Sequence, residues 1–195
     1  MTSHPEVGPL LDGRPQRARL LKAMVDAVAE KGYEAATVAD AVRLARVSRG
    51  TFYALFASKE ACLLAAYRAG CAVLEERVAA AAAAARDWRE ELRFGIRAYL
   101  DALEHDQVFA RVFLLQHQRL GDERQAVLER FAGRYGRTFA RSGRPVPPPD
   151  ALFVLAVGVH ELACARVRRG EGVLDLEDTL VGCAVRLAAK EDPWT

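Results

Sequence analysis

The stretch RVSRGTFYALFASKE, Arg46 to Glu60, sets three positive charges, several hydroxyls, a glycine and aromatic rings side by side, with no acid before its last residue. Ser48 is a good helix cap, so the chain after it is predicted to turn into a short helix, Arg49 to Phe56. Phe52 and Phe56 stand four apart and share one face of that helix, which is the face to bury. Arg49, Gly50 and Tyr53 are left together on the opposite side.

Outward from this segment, the pattern is helical on both sides. Upstream, Thr37 followed three residues later by Asp40 predicts a capping-box start for a short helix carrying Val38, Ala41, Val42 and Ala45. Before that, Leu20, Leu21, Met24, Val25, Val28 and Ala29 make an amphipathic stripe from Gln16 to Lys31, stopped by Gly32. Downstream, Ser58 opens a much longer helix that runs through Leu63, Leu64, Tyr67, Val73, Leu74 and Val78 into the alanine block Ala79 to Ala85. Five further helical segments follow: Trp88 to His105, Val108 to Leu120, Glu123 to Arg141, Asp150 to Arg169 and Leu176 to Lys190. The proline run in SGRPVPPPD and the glycines of RRGEGVLD break the pattern. Strand-like alternation is absent. The fold class expected is all-α with about nine helices, divided into a three-helix head at 1-57, with a basic N-terminal arm, and a larger helical body at 58-195.

Composition narrows the class. With 195 residues, 51% of them apolar and 28% charged, the chain can bury a core. A net charge of +2 does not by itself announce a nucleic-acid partner, and the distribution of charge says more. Arg14, Arg17, Arg19 and Lys22 form one acid-free basic patch, and Arg43, Arg46, Arg49 and Lys59 a second. The four cysteines have no CxxC spacing, the start of the chain lacks the apolar core of a signal peptide, and no apolar run is long enough to cross a bilayer. A protein of the reducing cytoplasm, with no membrane and no cofactor, is expected.

Two short helices joined by a three- or four-residue turn have the spacing of a helix-turn-helix, whose second helix enters the major groove of DNA. In that setting Gly50 lets the backbone approach DNA. Thr51 and Tyr53 offer hydroxyls to phosphates, and Arg49 can take a guanine edge bidentately. Lys59, in the first turn of the fourth helix, and Thr37, at the start of the second, can meet phosphates as well. Thr37 and Ser48 also suit plain capping, and the arm residues Arg14, Arg17 and Arg19 suit either DNA contact or a solvated tail.

The run TVADAVRLARVSRGTFYALFASKEACLLAAY, Thr37 to Tyr67, resembles the DNA-binding head of TetR/AcrR-type transcriptional regulators, which read T-x-x-x-I-A-x-x-A-G-V-S-x-G-T-x-Y-x-H-F-x-x-K-E-x-L. Some thirty positions carry the match, including Val47, Ser48, Gly50, Thr51, Tyr53, Phe56, Lys59, Glu60 and Leu63. The resemblance implies that Thr37, Ser48, Arg49, Thr51, Tyr53 and Lys59 contact DNA. It also implies a helical body that dimerises through its last two long helices and encloses a small-molecule pocket. Two positions depart from the pattern. Arg46 replaces the turn glycine, at a cost of roughly 1–2 kcal/mol if its backbone is left-handed, and adds, with Arg43, a possible phosphate contact. Leu55 replaces a His or Tyr, removing one contact of the family.

In the body, Leu152, Leu155, Ala156, Val159, Ala163 and Val167 form one stripe, and Leu176, Leu180, Cys183, Ala184, Leu187 and Ala188 another. Both suit a homodimer through Asp150 to Arg169 and Leu176 to Lys190, and both suit an intrachain core. The candidate effector residues are Phe94, Tyr99, Phe109, Phe113, His117, Phe131, Tyr135 and His160, whose spacing serves core packing and an apolar pocket alike. They point to a small apolar or aromatic effector. HELAC, His160 to Cys164, has half of a zinc-protease motif and no evident third ligand.

The function expected is a non-enzymatic, ligand-responsive repressor that leaves a palindromic double-stranded DNA operator when a small molecule binds. The alternatives are a degenerate family member or partner-binding protein without a specific operator, and a metal-dependent hydrolase built on His160, Glu161 and Cys164.

Overall fold

A computed structural model describes residues 15–115 and 121–187, with 113–115 as backbone alone. The described residues contain nine α-helices and no strand. They are α1 (Pro15–Ala35), α2 (Val38–Ala45), α3 (Arg49–Leu55), α4 (Lys59–Ala83), α5 (Trp88–His105), α6 (Gln107–Leu115), α7 (Gly121–Arg141), α8 (Pro149–Arg169) and α9 (Glu177–Leu187). The all-α class and the helix count expected from sequence are what the structure has. The described chain forms two compact units: residues up to 73 with 108–115, and residues 74–107 with 121–187.

In the first unit the helix boundaries follow local chemistry. Within α1 the backbone leaves helical geometry at Gly32 (φ 76°, ψ 161°), a region that only glycine enters without strain, as the sequence anticipated. Thr37 caps α2: its hydroxyl accepts from the Asp40 amide at 3.2 Å while the Asp40 carboxylate accepts from the Thr37 amide at 3.1 Å. The end of α2 is a Schellman closure, with the Val47 amide donating to Val42 O (3.1 Å) and the Arg46 amide to Arg43 O (3.3 Å). That motif needs a left-handed residue, and here it is Arg46 at φ 52°, ψ 51°, the one non-glycine with positive φ among the described residues. The same closure at the end of α8 uses Gly170.

Leu20, Met24, Ala27, Ala41, Phe52 and Cys62 are sealed in the core of this unit. Phe52 and Phe56 are both buried, as their spacing predicts, although Phe56 already lies past the end of α3 with extended backbone. Burial pushes the Cys62 thiol up to about 12. In α6, the Phe109 ring stands against Gly70 of α4 so closely that a Cβ at Gly70 would come within 1.9 Å of it.

The second unit is a bundle in which α5 packs on α7 and α9, and α7 on α8. Asp87 caps α5 by accepting from the Arg89 and Glu90 amides at 2.8 and 2.9 Å. Its core face is Leu92, Ile96, Tyr99, Leu100 and Leu103. Arg93 and Arg97 tie it to Glu177 of α9 at 2.6 and 2.9 Å. Pro149 occupies the first turn of α8, where a missing N–H costs nothing. Leu152, Leu155, Ala156, Val159 and Ala163 of α8 and Leu176, Leu180 and Ala184 beside them are buried inside this unit, so these stripes build the chain's own core. Ala188 and Lys190 lie outside the described residues.

Candidate nucleic-acid interface

The outward face of α3 has the composition that the sequence pattern called for. Arg49 and Gly50 are exposed, Thr51 is partly so, and Tyr53 is 56% exposed with its ring edge-on to buried Phe52 at 5.4 Å. Ser48 caps the helix, accepting from the Thr51 amide at 2.9 Å, and its hydroxyl lies 2.9 Å from that of Thr51. One of the two hydroxyl protons is used between them, which leaves the other to donate outward. A Cβ added at Gly50 would meet only Ser48 Oγ, at an ordinary 3.6 Å. Nothing among the described residues therefore demands glycine at this helical position, where it is less favourable than alanine.

The flanking cations divide. Arg43 and Arg46 are exposed, and the Arg43 guanidinium stands 3.7 Å from the Asp40 carboxylate. Arg17 is on α1, with its guanidinium 5.6 Å from the centre of the Phe56 ring, and Arg19 is exposed on the same helix. Arg14 lies outside the described residues. Thr37 gives its hydroxyl proton to Asp40 Oδ2 (2.8 Å), so both sides of that hydroxyl are engaged in the cap. Lys59 has a structural role that its sequence position did not reveal. Its ammonium donates to the carbonyls of Tyr33 (2.8 Å) and Ala36 (3.0 Å) and lies 4.3 Å from the centre of the Tyr33 ring. Tyr33, which sequence reasoning passed over, is buried and donates its hydroxyl to Glu60 at 2.7 Å. That bond, with help from the Glu60 backbone amide and the Ser58 hydroxyl, holds the Glu60 carboxyl at about 2. The Lys31 ammonium, at 2.6 Å, and the Thr37 hydroxyl hold Asp40 at about 2 as well.

The effector candidates do not gather in one place. Tyr99, Phe131 and His160 come together in the second unit, with Phe131 edge-on to Tyr99 at 5.9 Å and the Tyr99 hydroxyl 3.2 Å from His160 Nδ1. Arg124 reaches His160 Nε2 at 3.4 Å and pairs with Glu161, which Arg168 also approaches at 3.6 Å. Phe94 and Tyr135 are half-buried on α5 and α7, and burial drives the Tyr135 phenol upward. Phe109 belongs to the first unit, against Gly70. His117 lies outside the described residues, as does the side chain of Phe113. In HELAC, His160 and Glu161 are engaged as above, and burial pushes the Cys164 thiol up to about 11, which disfavours the thiolate a metal would need. Among the described residues, no three such groups gather to hold a metal, and no helix is long and apolar enough to cross a membrane.

Residues 20–66 match the family of bacterial regulatory proteins, tetR family. Solved structures with the same fold include the fatty acid degradation regulator FadR from Bacillus halodurans, at 18% identity over 89% of this chain and 98% of that one, TM-score 0.74. FadR from Bacillus subtilis, solved in complex with stearoyl-CoA, aligns at 19% identity over 89% and 98%, TM-score 0.73. A TetR-like transcriptional regulator from Rhodococcus sp. RHA1 aligns at 20% over 93% and 100%, TM-score 0.70. No curated protein matches in sequence. Residues 20–66 thus belong to the tetR family of bacterial regulatory proteins, and the chain carries the fold of regulators of that kind.

Proposed function

We propose that this protein is a ligand-responsive, sequence-specific repressor that binds a palindromic operator as a homodimer. The observation that carries the DNA reading is the outward face of α3. Arg49, Gly50, Thr51 and Tyr53 present one cation, one gap and two hydroxyls, and the gap at Gly50 has no explanation among the described residues. Phosphate contacts from Thr51 and Tyr53 would set the register, and Arg49 would read a base edge. Arg43 and Arg46 add charge at the rim, and Ser48 orients Thr51. Lys59 contributes through the shape of the head first and through charge second.

The effector is proposed to be a small molecule with an apolar or aromatic body, consistent with the stearoyl-CoA bound by the Bacillus subtilis FadR neighbour. The cluster of Tyr99, Phe131 and His160 is the proposed site for it, being aromatic with one polar fixture. Because α4 contributes residues to both units, an effector that favours one position of that helix can alter the spacing of two heads. Half-sites a helical turn apart tolerate little misspacing, so DNA is released. For dimerisation, α8 and α9 offer faces other than the buried stripes: Val154 is 69% exposed, and Gly158 and Cys183 are exposed.

Selection of the purified protein against a random DNA duplex library at near-physiological salt tests this reading. An enriched palindrome supports it and supplies the operator for effector screening. No enrichment by folded protein would overturn it in favour of a family member that no longer reads a specific operator.

A further inference from the structure

Helix α7 carries arginines at 130, 134, 137 and 141, a spacing of four, three and four residues that places them along one face. The two outer members are neutralised. Arg130 makes a bidentate pair with Glu75, Nη2 to Oε1 at 2.8 Å and Nε to Oε2 at 3.1 Å, and Arg141 pairs with Glu91, whose same oxygen accepts the Thr138 hydroxyl at 2.7 Å. The two inner members are not. Arg134 is half-buried, and among the described residues its guanidinium makes one hydrogen bond, to the Val78 carbonyl at 3.2 Å. Arg137 is exposed and has no carboxylate in reach among the described residues. Burial, and then repulsion by Arg137 and Arg141 against the attraction of Glu91, pulls Arg134 below the usual guanidinium range.

Arg130, Arg134 and Arg137, but not Arg141, line a groove of about 510 Å³ together with Glu75, Glu129 and Phe131. Glu129, the remaining acid, takes a hydrogen bond from Gln125 at 2.9 Å. Three guanidinium groups against Glu75 and Glu129 leave the groove a net charge of +1, and Arg134 and Arg137 are the two of the three with no salt-bridged carboxylate among the described residues. The lining is not wholly polar, because Phe131 contributes to its wall. A Cβ at Gly133 would lie 3.5 Å from the Arg137 guanidinium, so glycine at that position leaves room beside the cation.

We infer that this groove on α7 is a binding site for a phosphate-bearing organic molecule, with Arg134 and Arg137 on the phosphate and Phe131 under the organic part. Two adjacent guanidinium groups match a doubly charged, multi-oxygen anion better than a single carboxylate. The volume exceeds what inorganic phosphate alone would fill. The site stands apart from the DNA reading and can be measured on the protein without operator.

The test is calorimetric titration of the full chain at low ionic strength with phenyl phosphate, inorganic phosphate and benzoate, repeated on Arg137→Gln, Arg134→Gln and, as a surface-charge control, Arg77→Gln. Phenyl phosphate is expected to bind about tenfold or more tightly than either other probe. Arg137→Gln, which removes a side chain without a hydrogen-bonding partner among the described residues, is expected to weaken it by about tenfold. Arg134→Gln should weaken it at least as much with the helical signal unchanged, and Arg77→Gln should leave it intact. Absence of phenyl phosphate binding at millimolar concentration, equal binding by the Arg137→Gln protein, or a preference for benzoate would each overturn the assignment. Equal affinity for inorganic and phenyl phosphate would remove the organic half of it.

Discussion

Gly50 and Arg46 are each the wrong residue by the rules of the isolated chain, and they depart from those rules for different reasons. Gly50 sits in the first turn of α3, where a methyl group would make only an ordinary contact with Ser48 Oγ. Gly50→Ala is therefore expected to stabilise the head or leave it unchanged, by up to about 1 kcal/mol, and to weaken operator binding, because the added methyl lies on the face offered to DNA. Thermal denaturation and an operator titration on the same preparation check both halves; equal loss in the two would mean that the glycine serves the fold. Arg46 holds a left-handed conformation in a closure that Gly170 makes without strain elsewhere in the molecule. Arg46→Gly should gain about 1 kcal/mol of stability, while the slope of log affinity against log salt for DNA becomes shallower by about one unit if Arg46 meets a phosphate. An unchanged slope would confine this arginine to the turn.

At the scale of the elements, the first unit depends on ties that join the end of α1 to α2 and α4. The Lys59 ammonium closes two carbonyls near that end, and Lys59→Ala should cost about 1–3 kcal/mol, read as a lower urea midpoint, before any DNA is added. Asp40 and Glu60 act beside it. Their ordinary values are 3.8 and 4.5, and both are held at about 2 in the folded protein. Since the folded values are depressed, the stabilisation is complete above the ordinary values and is lost as pH falls from about 4.5 toward 2. The melting temperature followed by circular dichroism should fall across that window, and Asp40→Asn with Glu60→Gln should flatten the fall. The helices of this unit were legible in the sequence because their signals are local: Thr37 with Asp40, Ser48 with Thr51, Phe52 with Phe56. The Lys59 contacts were not, since its partners are 26 and 23 residues upstream and no spacing rule joins them. Likewise, a stripe such as Leu152 to Ala163 fits a core and an interface equally well. Only the packing of α7 and α9 beside it assigns those residues to the chain's own interior. The aromatic candidates fared as such patterns do: Tyr99, Phe131 and His160 meet, and Phe109 is in the other unit against Gly70.

For the whole molecule, the proposed repressor requires two heads held at one spacing, and α8 offers a place where this can be tested without damage to the monomer. Its buried residues all face inward, whereas Val154 and Gly158, four apart, share the outward side. A Cβ at Gly158 would meet nothing within 4 Å. Gly158→Leu thus adds a side chain to open space and replaces a poor helix former by a good one, so a single chain should fold at least as stably, by up to about 1 kcal/mol. If two copies of α8 approach each other along this side, the new leucine stands where the backbones must come close. The variant should then sediment as a monomer while keeping its helical signal, and its affinity for a palindromic operator should fall by about 100-fold, since the second half-site no longer benefits from being tethered to the first. Binding to a single half-site should be unaffected, because α3 is untouched. A variant that remains dimeric with full operator affinity would remove the outward side of α8 from the interface. Loss of half-site binding as well would mean that the substitution disturbs the head, and the oligomeric reading would have to be sought by another change.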